Sequence, residues 1–101
     1  MKIYYTTTSD LSNAQSISKR FLSDKKAVCI NLINNVNSFY LDSGTVNVAN
    51  EIIMIIKTKL KKSEIERYIN KVHNYKIPLI IEIKSGLPNL TYADWFAKNA
   101  E

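Results

Sequence analysis

An α+β fold of ferredoxin-like order, βαββαβ with a long hairpin formed by its second and third strands and a short C-terminal helix, is what this sequence predicts. Three observations carry the prediction. Two amphipathic stripes with helix-starting signals are each framed by β-rich runs, and two of those runs are consecutive and unusually long. A tight turn, Asp42-Ser43-Gly44, joins them. The third is length: 101 residues suit one compact domain spanning 1–101.

Residues 2–8, KIYYTTT, combine aromatic and β-branched side chains and run into Ser9-Asp10, a pair able to cap a helix. Ala14, Ile17, Phe21 and Leu22 then recur at i, i+3, i+7 and i+8, one apolar stripe on a helix of about 14 residues. Residues 27–41 read as a long strand with Val28, Ile30 and Leu32 on one face and an irregularity at Asn34-Asn35. Residues 45–58, TVNVANEIIMIIKT, form its hairpin partner. Ser63 and Glu66 give an S-x-x-E capping box for a second helix, whose stripe is Ile65, Tyr68, Ile69 and Val72 and which ends near His73-Asn74. Pro78 opens a strand LIIEIK that Gly86 and Pro88 break, and Thr91 with Asp94 caps a terminal helix carrying Tyr92, Trp95 and Phe96. The order matches a split βαβ motif with both helices on one face of an antiparallel sheet.

The hairpin is too long for a small monomer. Strands of about 14 residues reach roughly 45 Å, beyond what two helices cover. Val46, Val48, Ile53 and Ile55 are expected along the overhang, where an apolar edge needs a partner, so self-association through strand addition follows.

Composition excludes several function classes. One cysteine, Cys29, allows no intrachain disulfide and no cysteine-rich zinc module, and it suits a reducing compartment. No signal-peptide pattern opens the chain and no apolar run approaches the ~18 residues of a membrane span, so a cytoplasmic protein, mature as the whole chain, is expected. Two glycines, Gly44 and Gly86, leave no phosphate-cradling loop or dinucleotide fingerprint. The net charge of +5 is spread among acidic residues, so specific nucleic-acid binding is not expected.

Candidate chemistry is sparse. Cys29 reads as a small thiol on a core strand, with a Cys29–His73 nucleophilic pair as the rival reading. Glu51 and Lys57 share one face of a strand, placed for an ion pair between subunits, a hydrogen bond to backbone, or a ligand. Tyr40, Tyr75, Tyr92 and Trp95 read as packing rather than as a base-stacking platform. Lys59, Lys61 and Lys62 precede a helix whose positive end they oppose, a place for solvated lysines or for an anion. His73 ends that helix, where its imidazole is expected to donate to the last carbonyls and to gain from the dipole when protonated.

A spaced series of motifs narrows this further. TTTSDLSNAQSISKRFLSDKKAVCINL leads to an Ala-x-Cys-x-Asn strand through Ala27, Cys29 and Asn31. Ser38, Tyr40 and Gly44 stand at a hairpin tip, followed by Glu51 and Lys57-Thr58, then His73, Tyr75 and Pro78, and last Gly86, Tyr92 and Trp95. The series resembles the CutA family, associated with divalent-cation tolerance. The resemblance implies a non-enzymatic homotrimer of PII-like architecture, with hairpins paired across subunits, and a response to metal ions, copper among them. Its lateral clefts make Cys29, Tyr40, Glu51 and Lys57 candidate cleft residues, together with His73, Tyr75, Tyr92 and Trp95. Where the family has a hairpin tryptophan, a proline after the histidine and a glutamate after Pro78, this chain has Asp42, Asn74 and Leu79. Part of the family is assigned a metal site on that histidine, that glutamate and a cysteine ending the first strand. Here those positions are His73, Leu79 and Thr6, so the implied copper site is weakened to one imidazole. The alternatives are a PII-like sensor binding a small anionic ligand in the cleft between subunits, and a hydrolase or redox enzyme using Cys29 and His73.

Overall fold

The computed structural model describes residues 1–100. Strands β1 (Lys2–Thr8), β2 (Cys29–Asp42), β3 (Thr45–Thr58) and β4 (Ile81–Ile83) alternate with helices α1 (Leu11–Ser23), α2 (Lys62–Val72) and α3 (Leu90–Asn99) in the expected order. The strands form one antiparallel sheet, β2-β3-β1-β4. Alternation along β1 and β3 sends Tyr4, Ile52, Met54 and Ile56 to one face, where they meet Ala14, Ile17 and Phe21 of α1 and Ile65, Tyr68, Ile69 and Val72 of α2. That is the core.

Local chemistry sets each boundary. Asp10 caps α1 by accepting from the Asn13 amide at 2.8 Å. Leu22, expected in the apolar stripe, is exposed, because it lies about 100° around the helix from buried Phe21. The helix closes with paired bonds, Lys25 N–H to Leu22 O at 3.1 Å and Lys26 N–H to Phe21 O at 2.8 Å, and Lys25 takes the left-handed conformation at φ 57°. This is a Schellman ending with lysine where glycine is the cheaper residue. Next, α2 starts earlier than Ser63 and Glu66 imply. Its N-cap is Lys61, whose amide donates to Glu64 Oε1 at 3.1 Å. Glu64 supplies only half of a capping box, since the lysine ammonium offers no acceptor. The cap of α3 is Asn89 rather than Thr91, and its side-chain amide donates to Thr91 Oγ1.

The β2 irregularity lies at Asn34-Asn35: Ile33 pairs with Ile53 but Val36 pairs with Glu51, and Asn35 sits at φ 59°. One extra residue reverses the faces of everything beyond it. Ile30 and Leu32 turn toward the core before the bulge, whereas Phe39 and Leu41, opposite Val48 and Val46, turn to that side after it. At the tip, Ser43 at φ 51° and Gly44 at φ 76° form a two-residue turn of the I′ kind, which matches strand twist.

Two expectations on strands are corrected. β4 covers only Ile81–Ile83 of the LIIEIK run, because extending the register past Tyr5–Ile81 would bring Pro78, which has no N–H, opposite Thr8. Ile53 and Ile55 are not on the overhang either. They pair with Thr7 and Tyr5 in the middle of the sheet, on the face away from α1 and α2, where Ile3, Ile81 and Ile83 join them. Beyond Ile52 the hairpin loses β1 and continues as a two-stranded ribbon, Val36–Asp42 against Thr45–Glu51, along a molecule 47 Å long. On one side of the ribbon Phe39 and Leu41 are 72% and 73% exposed, with Val46 and Val48 beside them.

The α1 ending yields a prediction. Replacing Lys25 by Gly removes the left-handed penalty while keeping both closing bonds, and it should raise stability by up to about 1 kcal/mol in urea unfolding. Lower stability would mean that the lysine side chain holds this turn.

Candidate functional site

Where β1 ends, Thr7, Thr8 and Ser9 meet the segment that follows α2. His73 caps α2 through its backbone amide, which donates to Ile69 O at 2.9 Å. Its side chain does not return to the helix carbonyls as the sequence reading expected. Nε2 bonds the Thr7 carbonyl at 2.7 Å and Nδ1 accepts from the Tyr75 amide at 2.9 Å. The two bonds select one neutral tautomer, protonated at Nε2, and they use both ring nitrogens. Burial pushes the imidazole below its usual pKa of 6.5, against the opposing effects of the Thr7 carbonyl and Glu51. The protonated imidazole expected at a helix end is therefore replaced by a neutral strap from helix to strand.

The strap continues through Tyr75, whose ring lies 4.9 Å from the imidazole and whose hydroxyl donates to Glu51 Oε2 at 2.6 Å. Burial raises the Glu51 carboxyl, but hydrogen bonds from Ser38, Tyr75 and Thr7 and the nearby His73 outweigh it, holding the group below its ordinary value. Burial and the Glu51 carboxylate push the Tyr75 hydroxyl well up, so it remains a donor. Asn74 completes the arrangement. Its Oδ1 accepts from Thr8 Oγ1 at 2.7 Å and its Nδ2 donates to Ser9 Oγ at 2.9 Å, bonds that a proline has no atoms to make. Beside Glu51, at the bulge, lies a cleft of about 150 Å³ walled by Ser9, Asp10, Asn34 and Asn35. Tyr40 stands half-exposed on the ribbon, on the same side as Glu51.

The other candidates gather elsewhere. Cys29 pairs with Lys57, the Lys57 ammonium lies 5.5 Å from the Tyr92 ring, and Tyr92 lies 5.4 Å from Trp95. Glu51 and Lys57 do share the open face, but six residues of strand put about 20 Å between them. Within one chain they form two clusters. Cys29 is half-buried on that open face rather than in the core, because its partner Lys57 points away from α1 and α2. Between the cross-strand row Cys29–Lys57–Ile3 and Thr7, which His73 holds, β1 runs about 13 Å, so Cys29 and His73 make no nucleophilic pair.

Metal-ligating chemistry is thin. Thr6 is fully buried on the helix side with its hydroxyl unpartnered, Leu79 is half-exposed and apolar, and the His73 nitrogens are occupied. No group of three or more His, Cys, Asp or Glu residues converges among the described residues. The residues present do not fit a metal centre built on His73.

Thr7 and Thr8 were not singled out by sequence reasoning, and Ser9, Ser38 and Asn74 were noted as a helix cap, a hairpin motif position and a departure from the family pattern rather than as members of this site. The signal available was the run of hydroxyls TTTS at a strand end, too common to mark a site.

The family model described as "CutA1 divalent ion tolerance protein" matches residues 2–99. The chain belongs to the CutA1 divalent ion tolerance family. It is similar to the divalent-cation tolerance protein CutA of Archaeoglobus fulgidus, 34% identical over 96% of this chain and 95% of that protein, and to the one of Thermococcus kodakarensis, 31% identical over 95% and 92%. The solved structure of the periplasmic divalent cation tolerance protein CutA from A. fulgidus superposes with a TM-score of 0.90 at 31% identity, covering 99% of this chain and 98% of that one. CutA1 from Pyrococcus horikoshii gives 0.90 at 29% identity, covering 100% and 99%. The ferredoxin-like CutA fold and the divalent-cation tolerance family are thereby established for this chain.

Within a CutA fold, the His73 strap makes a sharp prediction. His73→Ala orphans the Thr7 carbonyl and the Tyr75 amide and should cost about 2 kcal/mol. The native pKa lies below the unfolded 6.5, so the unfolded state binds more protons and stability falls as pH drops from 6.5 toward the native value. The variant should lose that part of the slope. In calorimetric titrations its zinc and copper affinities should match those of the wild type; a tight site per chain that vanishes in the variant would contradict the strap.

Proposed function

We propose that this chain is a one-domain, non-enzymatic homotrimer of the CutA type, taking part in cytoplasmic tolerance of divalent cations, copper among them, with only weak metal contact of its own. The observation that carries the reading is the unpartnered apolar surface of the hairpin and sheet. A two-stranded ribbon is marginal in water by itself, and here it exposes Phe39, Leu41, Val46 and Val48. The sheet face bearing Ile3, Ile53, Ile55, Ile81 and Ile83 is covered by neither α1 nor α2, and Ile81 and Ile83 stay half-exposed on it. Copies of the same chain are the simplest cover for both surfaces, and closed symmetry satisfies them together.

In such an assembly the two clusters belong to the clefts between protomers. The Glu51–Tyr75–His73 group and the Cys29–Lys57–Tyr92–Trp95 group, distant within a chain, become candidates to face each other across subunits, with Tyr40 on the ribbon between them. A free thiol with no disulfide fits a reducing cytoplasm. No helix among the described residues is long and apolar enough to cross a membrane. The rival reading, a PII-like sensor for a small anion in this cleft, ranks second, because an anion there would meet Asp10 and Glu51 with no lysine or arginine among the lining residues to offset them.

Light scattering at micromolar concentration should give three times the mass of one chain. Ile53→Asp sets a charge among apolar neighbours on the open face, at a cost of several kcal/mol if that face is covered, and should collapse the trimer. A wild-type monomer, or an Ile53→Asp protein that keeps its oligomer, would contradict the proposal.

A further inference from the structure

On the helix side, remote from the open sheet face, α2 and the end of α1 enclose a groove of about 300 Å³. Glu64, Arg67, Tyr68 and Lys71 fall on one face of α2, at i, i+3, i+4 and i+7, and Asp24 and Lys26 form the opposite wall. The two acids are engaged internally. Glu64 caps the Lys61 amide, and Asp24 accepts from the Tyr68 hydroxyl, which burial and Asp24 push up to about 12. The three cations, Lys26, Arg67 and Lys71, make no salt bridge among the described residues, whose ion pairs are Lys2–Glu82 and Lys62–Glu66. Arg67 and Lys71 stand one turn apart, where like charges repel.

The groove is also held rigid on its loop side. The Lys26 amide donates to Phe21 O at 2.8 Å, its carbonyl accepts from Thr58 Oγ1 at 2.6 Å, and its ammonium lies 5.9 Å from the Tyr68 ring. Lys25 beside it takes a left-handed backbone conformation at φ 57° and does not line the groove. We propose that this groove binds a compact phosphate-bearing small molecule, with the Arg67 fork on one phosphoryl group and Lys26 and Lys71 flanking it. A guanidinium and two ammonium groups lining one groove suit the tetrahedral oxygens of a di- or trianion better than a monocarboxylate. Three cations in one groove, without a basic stripe leading from it, suit a small ligand rather than a nucleic-acid strand. This site is independent of the assembly proposed above and of its cleft.

Inorganic pyrophosphate is the probe. Titrated into the full chain at about 150 mM salt, where weak surface attraction is screened, it should saturate one site per chain and shift the backbone NMR signals of Lys26, Arg67 and Lys71. Arg67→Gln and Lys26→Gln should each weaken binding at least about tenfold, whereas Lys98→Gln, on α3, should leave it unchanged. The wild-type shift map decides independently of any variant's folding. Absence of saturable binding at millimolar pyrophosphate, shifts centred elsewhere, or an equal loss in Lys98→Gln would overturn the assignment.

Discussion

The mismatch between hairpin length and sheet size governs the rest of this structure. β1 reaches only as far as Ile52 of β3, so half of each hairpin strand has no third strand and no helix. The sequence has not adapted that half to water: it keeps Phe39, Leu41, Val46 and Val48 on one side. Hydrophobic surface at about 25 cal/mol per Å² is a strong drive to find a cover, and a twisted ribbon with free edges offers backbone pairing as well. The bulge at Asn34-Asn35 works with this. By reversing the faces of β2 it aligns Phe39 and Leu41 with Val48 and Val46, and it places Glu51 opposite Val36 beside the polar cleft.

Held against that hairpin, the His73–Tyr75–Glu51 chain is a brace. It connects the end of α2 to the end of β1 and then to the first residue of the ribbon. Both imidazole nitrogens have partners; burial lowers the imidazole pKa, while hydrogen bonds to Glu51 hold its carboxyl ionised despite burial. A brace of this kind leaves the histidine no lone pair to offer a metal. Asn74 adds two bonds to the brace while Leu79 adds no ligand, which accords with a structural use of the histidine.

Element order and the core were legible because they rest on local signals. Asp10, the Ala14-Ile17-Phe21 stripe, the Ser43-Gly44 turn and the paired asparagines each act within a few residues of themselves. Where several local signals competed, the sequence misled. Glu64 took the capping role that Ser63 and Glu66 advertised, and Leu22 fell at the edge of its stripe. The site was less legible, for a plain reason. Its bonds join Thr7 to His73 and Glu51 to Tyr75, pairs 66 and 24 residues apart, and nothing in spacing encodes which ring nitrogen faces which carbonyl. Placing Cys29 in the core failed for a related cause: β2 alternates, and only the register against Lys57 says which parity points inward.

The central claim is that the ribbon and open sheet face are covered by copies of this chain, and amide hydrogen exchange reads that cover directly. Residues 36–51, apart from the Ser43-Gly44 turn, should exchange as slowly as Ile52–Ile56 of the central strand at micromolar protein and lose protection on dilution below the assembly range. Exchange within seconds along the ribbon at every concentration, with the central strand still protected, would show that the hairpin stands free in water and would contradict the account.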